Sequence, residues 1–89
     1  MVNKGHQVRT KRKTERLISE SCRVPLHHIE KDLADIGFIQ LGADPVTMAM
    51  EHRRDELYLE IGLDENHCVH SYLLVTFEEK NKKQRKFRW

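Results

Sequence analysis

Residues 25–41 read PLHHIEKDLADIGFIQL, and the spacing of their apolar residues changes at Gly37. Before it, Leu26, Ile29, Leu33 and Ile36 recur three and four positions apart, while Glu30, Lys31, Asp32 and Asp35 take the other faces. That is one apolar stripe of an amphipathic helix. Pro25 sits where a helix start tolerates a missing N–H, and Gly37 sits where a left-handed cap residue is wanted. The spacing predicts a helix over about 26–36.

After Gly37 the period becomes two. Residues 38–41 form a short strand candidate, closed by the turn-forming run Gly42-Ala43-Asp44-Pro45. Val46, Met48 and Met50 alternate with Thr47, Ala49 and Glu51, predicting a strand over 46–52. Leu57, Leu59, Ile61 and Leu63 alternate with Tyr58, Glu60 and Gly62, predicting a strand over 57–63. A last strand is expected over 68–78, apolar on both faces at its centre. It is read as an interior strand or as one with a helix over its second face. Short links between consecutive strands imply an antiparallel meander.

Upstream, residues 10–21 are helix-compatible but weakly amphipathic, since only Leu17, Ile18 and Cys22 offer a core face. Residues 1–9 are expected to be a disordered basic arm and 80–89 a basic tail. The fold class expected is therefore α+β: a two-layer domain with one or two short N-terminal helices packed on a four-stranded antiparallel meander, with flexible basic termini.

With 89 residues, a two-domain enzyme is excluded. Apolar residues are unevenly spread: 26 lie in 24–79 and eight in the other 33 positions. Charge divides at the same boundaries. Residues 1–23 carry a net of +5, residues 24–79 a net of −9 and residues 80–89 a net of +6. The overall +2 thus hides an acidic centre between two basic ends, a pattern suited to holding polyanions. No apolar run is long enough to span a bilayer, and the first residues contain no secretory h-region. With two cysteines only, a reduced, cytoplasmic protein is expected and no membrane contact.

The histidines and cysteines follow no strong metal template, since CxxC, HxxxH and HExxH are all missing. Cys68 and His70 share a strand face, so a site drawn from Cys22, His27, His28, Cys68 and His70 is left open; surface polar residues with one half-buried thiol are the simpler reading. Cys22 beside Arg23 has part of what a reactive thiol needs, but nothing places a base on it. The carboxylates read as the wet faces of a helix and of strands, and no phosphate-cradling glycine loop is present. No catalytic residue and no cofactor are assigned, and the chain is expected to be non-enzymatic.

The basic ends carry the functional expectation. On a helix, Arg9, Lys13 and Arg16 share one side with Arg12 close by, and Lys11 adds a further cation. At the other end, Lys80, Lys82, Lys83, Arg85, Lys86 and Arg88 are joined by Phe87 and Trp89. Trp89 is expected to stack on bases, as aromatics interleaved with cations do. The expected function is nucleic-acid binding through these termini with little sequence preference, the form of nucleic acid being open. The alternative is a small regulatory or inhibitory protein of the mobile-element accessory type, docking on a protein partner through its acidic domain or a sheet edge. Strand 38–41 also leaves pairing into a homodimer open.

Overall fold

Gly37 is the corner between the helical layer and the sheet. Its φ of 123° lies in the region that favours glycine. Its N–H donates to the Leu33 and Ala34 carbonyls at 3.2 and 3.0 Å, and the Phe38 N–H donates to Leu33 at 3.0 Å. These bonds satisfy the last carbonyls of the helix and turn the chain into the first strand. A Cβ at Gly37 would strike the His52 ring.

A computed structural model of the chain describes residues 2–86, with side chains described through Asn81. The elements run α1 Lys4–Glu20, α2 His27–Ile36, β1 Ile39–Ala43, β2 Thr47–His52, β3 Leu57–Leu63, β4 Val69–Thr76 and α3 Phe77–Lys86. The strands pair consecutively and antiparallel in the order β1-β2-β3-β4. Helices followed by this meander make the α+β domain expected from the sequence.

The core lies between the sheet and the first two helices. Strand alternation turns Met48, Met50, Leu57, Leu59, Ile61 and Leu63 to one face. Ile18, Leu26, Ile29, Leu33 and Phe38 close over them. Leu33, Leu57, Leu59 and Ile61 are fully buried, and truncating any one to alanine should cost about 2–5 kcal/mol.

Helix α1 spans the length of this sheet. Its first turn is tied to Asp55, just before β3, and the chain after its last turn pairs with Val69, which opens β4 opposite Leu63 at the end of β3. Seventeen helical residues reach about 25 Å, matching the roughly 23 Å of a seven-residue strand. The boundary at residue 10 is corrected: α1 begins at Lys4, and residues 4–9 are helix where a disordered arm was expected. Asn3 caps it, its Oδ1 accepting from the His6 N–H at 3.0 Å. The face α1 buries is Thr10, Thr14 and Ile18, one residue every four. Thr14 is fully buried, and its Oγ1 donates to the Thr10 carbonyl at 2.8 Å. Two of these three contacts are hydroxyl residues, so an apolar periodicity does not register them.

Both edge strands carry a bulge. In β1, Gln40 pairs with Met50 and Gly42 with Ala49, leaving Leu41 over. In β4, Ser71 pairs with Gly62 and Val69 with Leu63, leaving His70 over. Such irregularities blunt an exposed edge. Strand β4 is an edge strand and not interior: Leu74 is buried toward the core, while Leu73 and Val75 lie on the other face, where α3 packs.

The C-terminal boundary is corrected as well. Strand β4 stops at Thr76, and α3 follows directly where the sequence predicts strand to 78 and tail from 80. Thr76 Oγ1 accepts from the Glu79 N–H and Glu79 Oε1 accepts from the Thr76 N–H, both at 3.1 Å. This reciprocal pair is a capping box. The Lys80 Nζ lies 4.0 Å from the Tyr58 ring centroid. Tyr58 lies on the face of β3 opposite Leu57 and Leu59, so α3 starts on the far side of the sheet from α1 and α2.

Candidate nucleic-acid interface

The buried seam of α1 dictates what its other side presents. With Thr10, Thr14 and Ile18 inward, Arg9, Arg12, Lys13 and Arg16 fall on one outer stripe and all four are exposed. The stripe runs seven positions, about 10.5 Å along the axis. Lys11 lies on the flank and is half-buried. Arg16 reaches Glu20 at 3.7 Å, both side chains well exposed, a pairing worth little in water. Among the described residues, Arg9, Arg12 and Lys13 form no ion pair.

Helix α2 flanks the stripe. Lys13, Leu17, Asp32, Asp35 and Ile36 line a shallow cleft between the two helices. Two carboxylates of the acidic central segment, Asp32 and Asp35, therefore stand beside the cations of α1, while Glu51 and Glu60 lie on the other face of the sheet.

What orients α1 is a polar cluster built around Asp55, which is 2% exposed. Its carboxylate oxygens lie 2.8 and 3.0 Å from His6 Nδ1. Thr10 Oγ1 donates to Oδ2 at 2.5 Å, and Gln7 Nε2 donates to the Asp55 carbonyl at 2.9 Å. The Asp55 N–H donates to His52 Nδ1 at 3.1 Å, so His52 Nε2 carries the proton it donates to the Ile36 carbonyl at 3.0 Å. Burial pushes the Asp55 carboxyl up, but the hydrogen bonds from Thr10 and His6 outweigh it and hold the group below its ordinary range. Every buried side-chain polar atom of the cluster is matched. Its chemistry is that of a clamp: it fixes the rotation of α1, and with it the direction of the cationic stripe. Sequence reading missed it because Asp55 and His6 are 49 positions apart and neither lies in a motif.

The second set of expected contacts is elsewhere. Lys80 is half-buried over Tyr58. Burial, then the Glu60 carboxylate that its hydroxyl contacts at 2.9 Å, raises the Tyr58 phenol above its ordinary value. Lys82, Lys83, Arg85 and Lys86 lie on the α3 backbone, with their side chains outside the description. Arg88 and Trp89, the expected stacking residue, lie outside the described residues. The cations of α1 and Lys80 at the start of α3 thus stand on opposite faces of the sheet.

Among the described residues, no three histidine, cysteine, aspartate or glutamate side chains are grouped to hold a metal ion. Cys22 and Cys68 are both free thiols, and the His27 and His28 rings meet edge to face with centroids 4.4 Å apart. None of the described helices is long and apolar enough to cross a membrane. No family model, no curated protein and no solved structure matches the chain.

Proposed function

We propose that the chain is a non-enzymatic nucleic-acid-binding domain whose phosphate contacts come first from Arg9, Arg12, Lys13 and Arg16 of α1. The observation that carries this is the exposed stripe itself. Four cations at i, i+3, i+4 and i+7 point outward from a helix whose rotation is clamped by Asp55, and three of them lack a carboxylate partner among the described residues. Cations held in a row without intramolecular partners are arranged for an external line of anions. The basic residues of 80–89 supply a second, separate set of contacts. Among the described residues no base-reading arrangement accompanies the α1 stripe, so little sequence preference is expected.

Fluorescence anisotropy with labelled DNA and RNA, from about 50 to about 300 mM salt, tests the proposal. Submicromolar binding near physiological salt is expected, with a log–log salt slope that falls by about 0.7–0.9 for each stripe cation replaced by glutamine. A slope unchanged in the Arg9→Gln, Arg12→Gln, Arg16→Gln triple variant would overturn it.

Docking on a protein through a sheet edge is the second reading. All five residues of β1 are exposed, Ile39 and Leu41 by 42% and 47%. The Leu41 bulge works against extended strand addition, which places this reading second.

A further inference from the structure

Resting on the nucleic-acid reading of α1, we infer that this surface takes a single strand and discriminates against a duplex, with Tyr72 as the stacking residue. The inference joins the acidic flank of the stripe, the width of the stripe and an exposed tyrosine ring on the same face of the sheet.

The acidic flank comes first. A helix with its side chains is about 10–12 Å across, and the DNA major groove is about 12 Å wide. A recognition helix therefore meets phosphates on both flanks when it enters the groove. Helix α1 has α2 packed along one flank, and the cleft between them puts Asp32 and Asp35 beside Lys13. A second line of phosphates on that side would face carboxylates. The α1 helix cannot enter a groove without α2, and it cannot present cations to two strands at once.

A single line of phosphates on the crest avoids Asp32 and Asp35, with Glu15 the one acidic side chain on the flank of α1 away from α2. It can follow Arg9, Arg12 and Arg16 along the crest of α1, ending where Glu20 closes the row. Its bases are then free to turn away from α2. On that other side lies β4, the strand beside which α1 packs. Tyr72 of β4 pairs with Ile61, whose side chain is in the core, so the Tyr72 ring lies on the α1 face of the sheet. It is 38% exposed, the highest exposure of any phenylalanine or tyrosine among the described residues. An exposed ring beside a row of cations offers a stacking platform, which paired bases cannot use and unpaired bases can.

The experiment compares oligonucleotides of one sequence, single-stranded and duplex, as DNA and as RNA, on the full chain at fixed salt. Binding of the single strand at least about tenfold tighter is expected. Tyr72→Leu, which keeps bulk and removes the ring, should weaken single-strand binding about 5- to 100-fold and leave duplex binding unchanged. Tyr72→Phe should restore it. Asp32→Asn with Asp35→Asn should strengthen duplex binding and so narrow the gap. Duplex binding equal to or tighter than single-strand binding, or a Tyr72→Leu protein that melts normally and binds single strands as before, would overturn the inference while leaving the α1 reading intact. If neither form loses salt dependence when Arg9, Arg12 and Arg16 become glutamine, the α1 reading itself fails, and this inference with it.

Discussion

Asp55 holds His6 through both carboxylate oxygens, 2.8 and 3.0 Å from Nδ1, across 49 positions of chain. This contact sets where α1 begins and which way its cations point. Replacing Asp55 by alanine removes the acceptor for Thr10 as well as for His6, leaving a buried hydroxyl without its partner. The expected loss is about 2–4 kcal/mol, which lowers the melting temperature by about 4–8 °C per kcal/mol in a domain of this size. Asp55→Asn keeps one acceptor oxygen and should lose about half as much. The pH dependence follows from a carboxyl held below its ordinary value of 3.8. Well above 3.8 the group is ionised in both folded and unfolded chains and its contribution is complete. As the pH falls, the unfolded chain takes up the proton first, and the contribution disappears through the lower folded-state value. Urea midpoints measured from about pH 6 to about pH 2 should therefore converge for wild type and Asp55→Asn on acidification. A gap independent of pH would mean that the ionised form is not what the site stabilises.

Gly37 should tolerate no side chain. Its φ of 123° strains any other residue, and a Cβ there meets the His52 ring, which is itself fixed between Asp55 and the Ile36 carbonyl. Gly37→Ala is expected to cost about 2–4 kcal/mol. Gly42 supplies the control, because a Cβ there meets nothing within 4 Å, so Gly42→Ala should stay within about 0.5 kcal/mol. Thermal melts of the two variants decide this; equal shifts would place the corner at Gly37 under no strain.

The two buried threonines of α1 should respond differently to the same change. Thr10 donates to the Asp55 carboxylate at 2.5 Å, whereas Thr14 donates to the Thr10 backbone carbonyl. A hydrogen bond to a charged group is worth about 1.5–3 kcal/mol, so Thr10→Val should cost that much. Thr14→Val keeps the volume of a fully buried side chain, and the carbonyl it leaves is within a helix. Its effect should be under about 0.5 kcal/mol in either direction. Chemical denaturation of both proteins tests this, and a larger loss at Thr14 would locate the anchor of α1 away from Asp55.

These residues also show what the sequence reveals and what it withholds. The α2 helix is legible because Leu26, Ile29, Leu33 and Ile36 form an apolar stripe that ends at Gly37, and β3 because Leu57, Leu59, Ile61 and Leu63 alternate without a fault. The start of α1 is not legible, because its seam is threonine and its anchor is distant in sequence. The start of α3 is written locally: Thr76 and Glu79 have the spacing of a capping box, hidden by the strand-like run Leu73-Leu74-Val75 that precedes it. For the candidate site, the stripe Arg9, Arg12, Lys13 and Arg16 follows from helical geometry alone. That α2 sets Asp32 and Asp35 beside it, and that α3 lies across the sheet, are tertiary relations carried by no local pattern.

The placement of α1 and the start of α3 on opposite faces of the sheet bears on how the two sets of cations combine. Groups on distant surfaces that meet different phosphates lose binding independently. Replacing Arg9, Arg12 and Arg16 by glutamine should lower the salt slope by about 2–3. Replacing Lys82, Lys83 and Lys86 by glutamine keeps α3 and its capping box, and should lower the slope by a similar amount if that surface also meets phosphates. Because α1 and the start of α3 stand on opposite faces of the sheet, the six-fold variant should show the sum of the two reductions on a long oligonucleotide. On an oligonucleotide too short to pass from one face to the other, only the larger of the two should be seen. A combined loss smaller than the sum on the long probe would mean that both sets of cations meet the same phosphates, and would overturn this prediction.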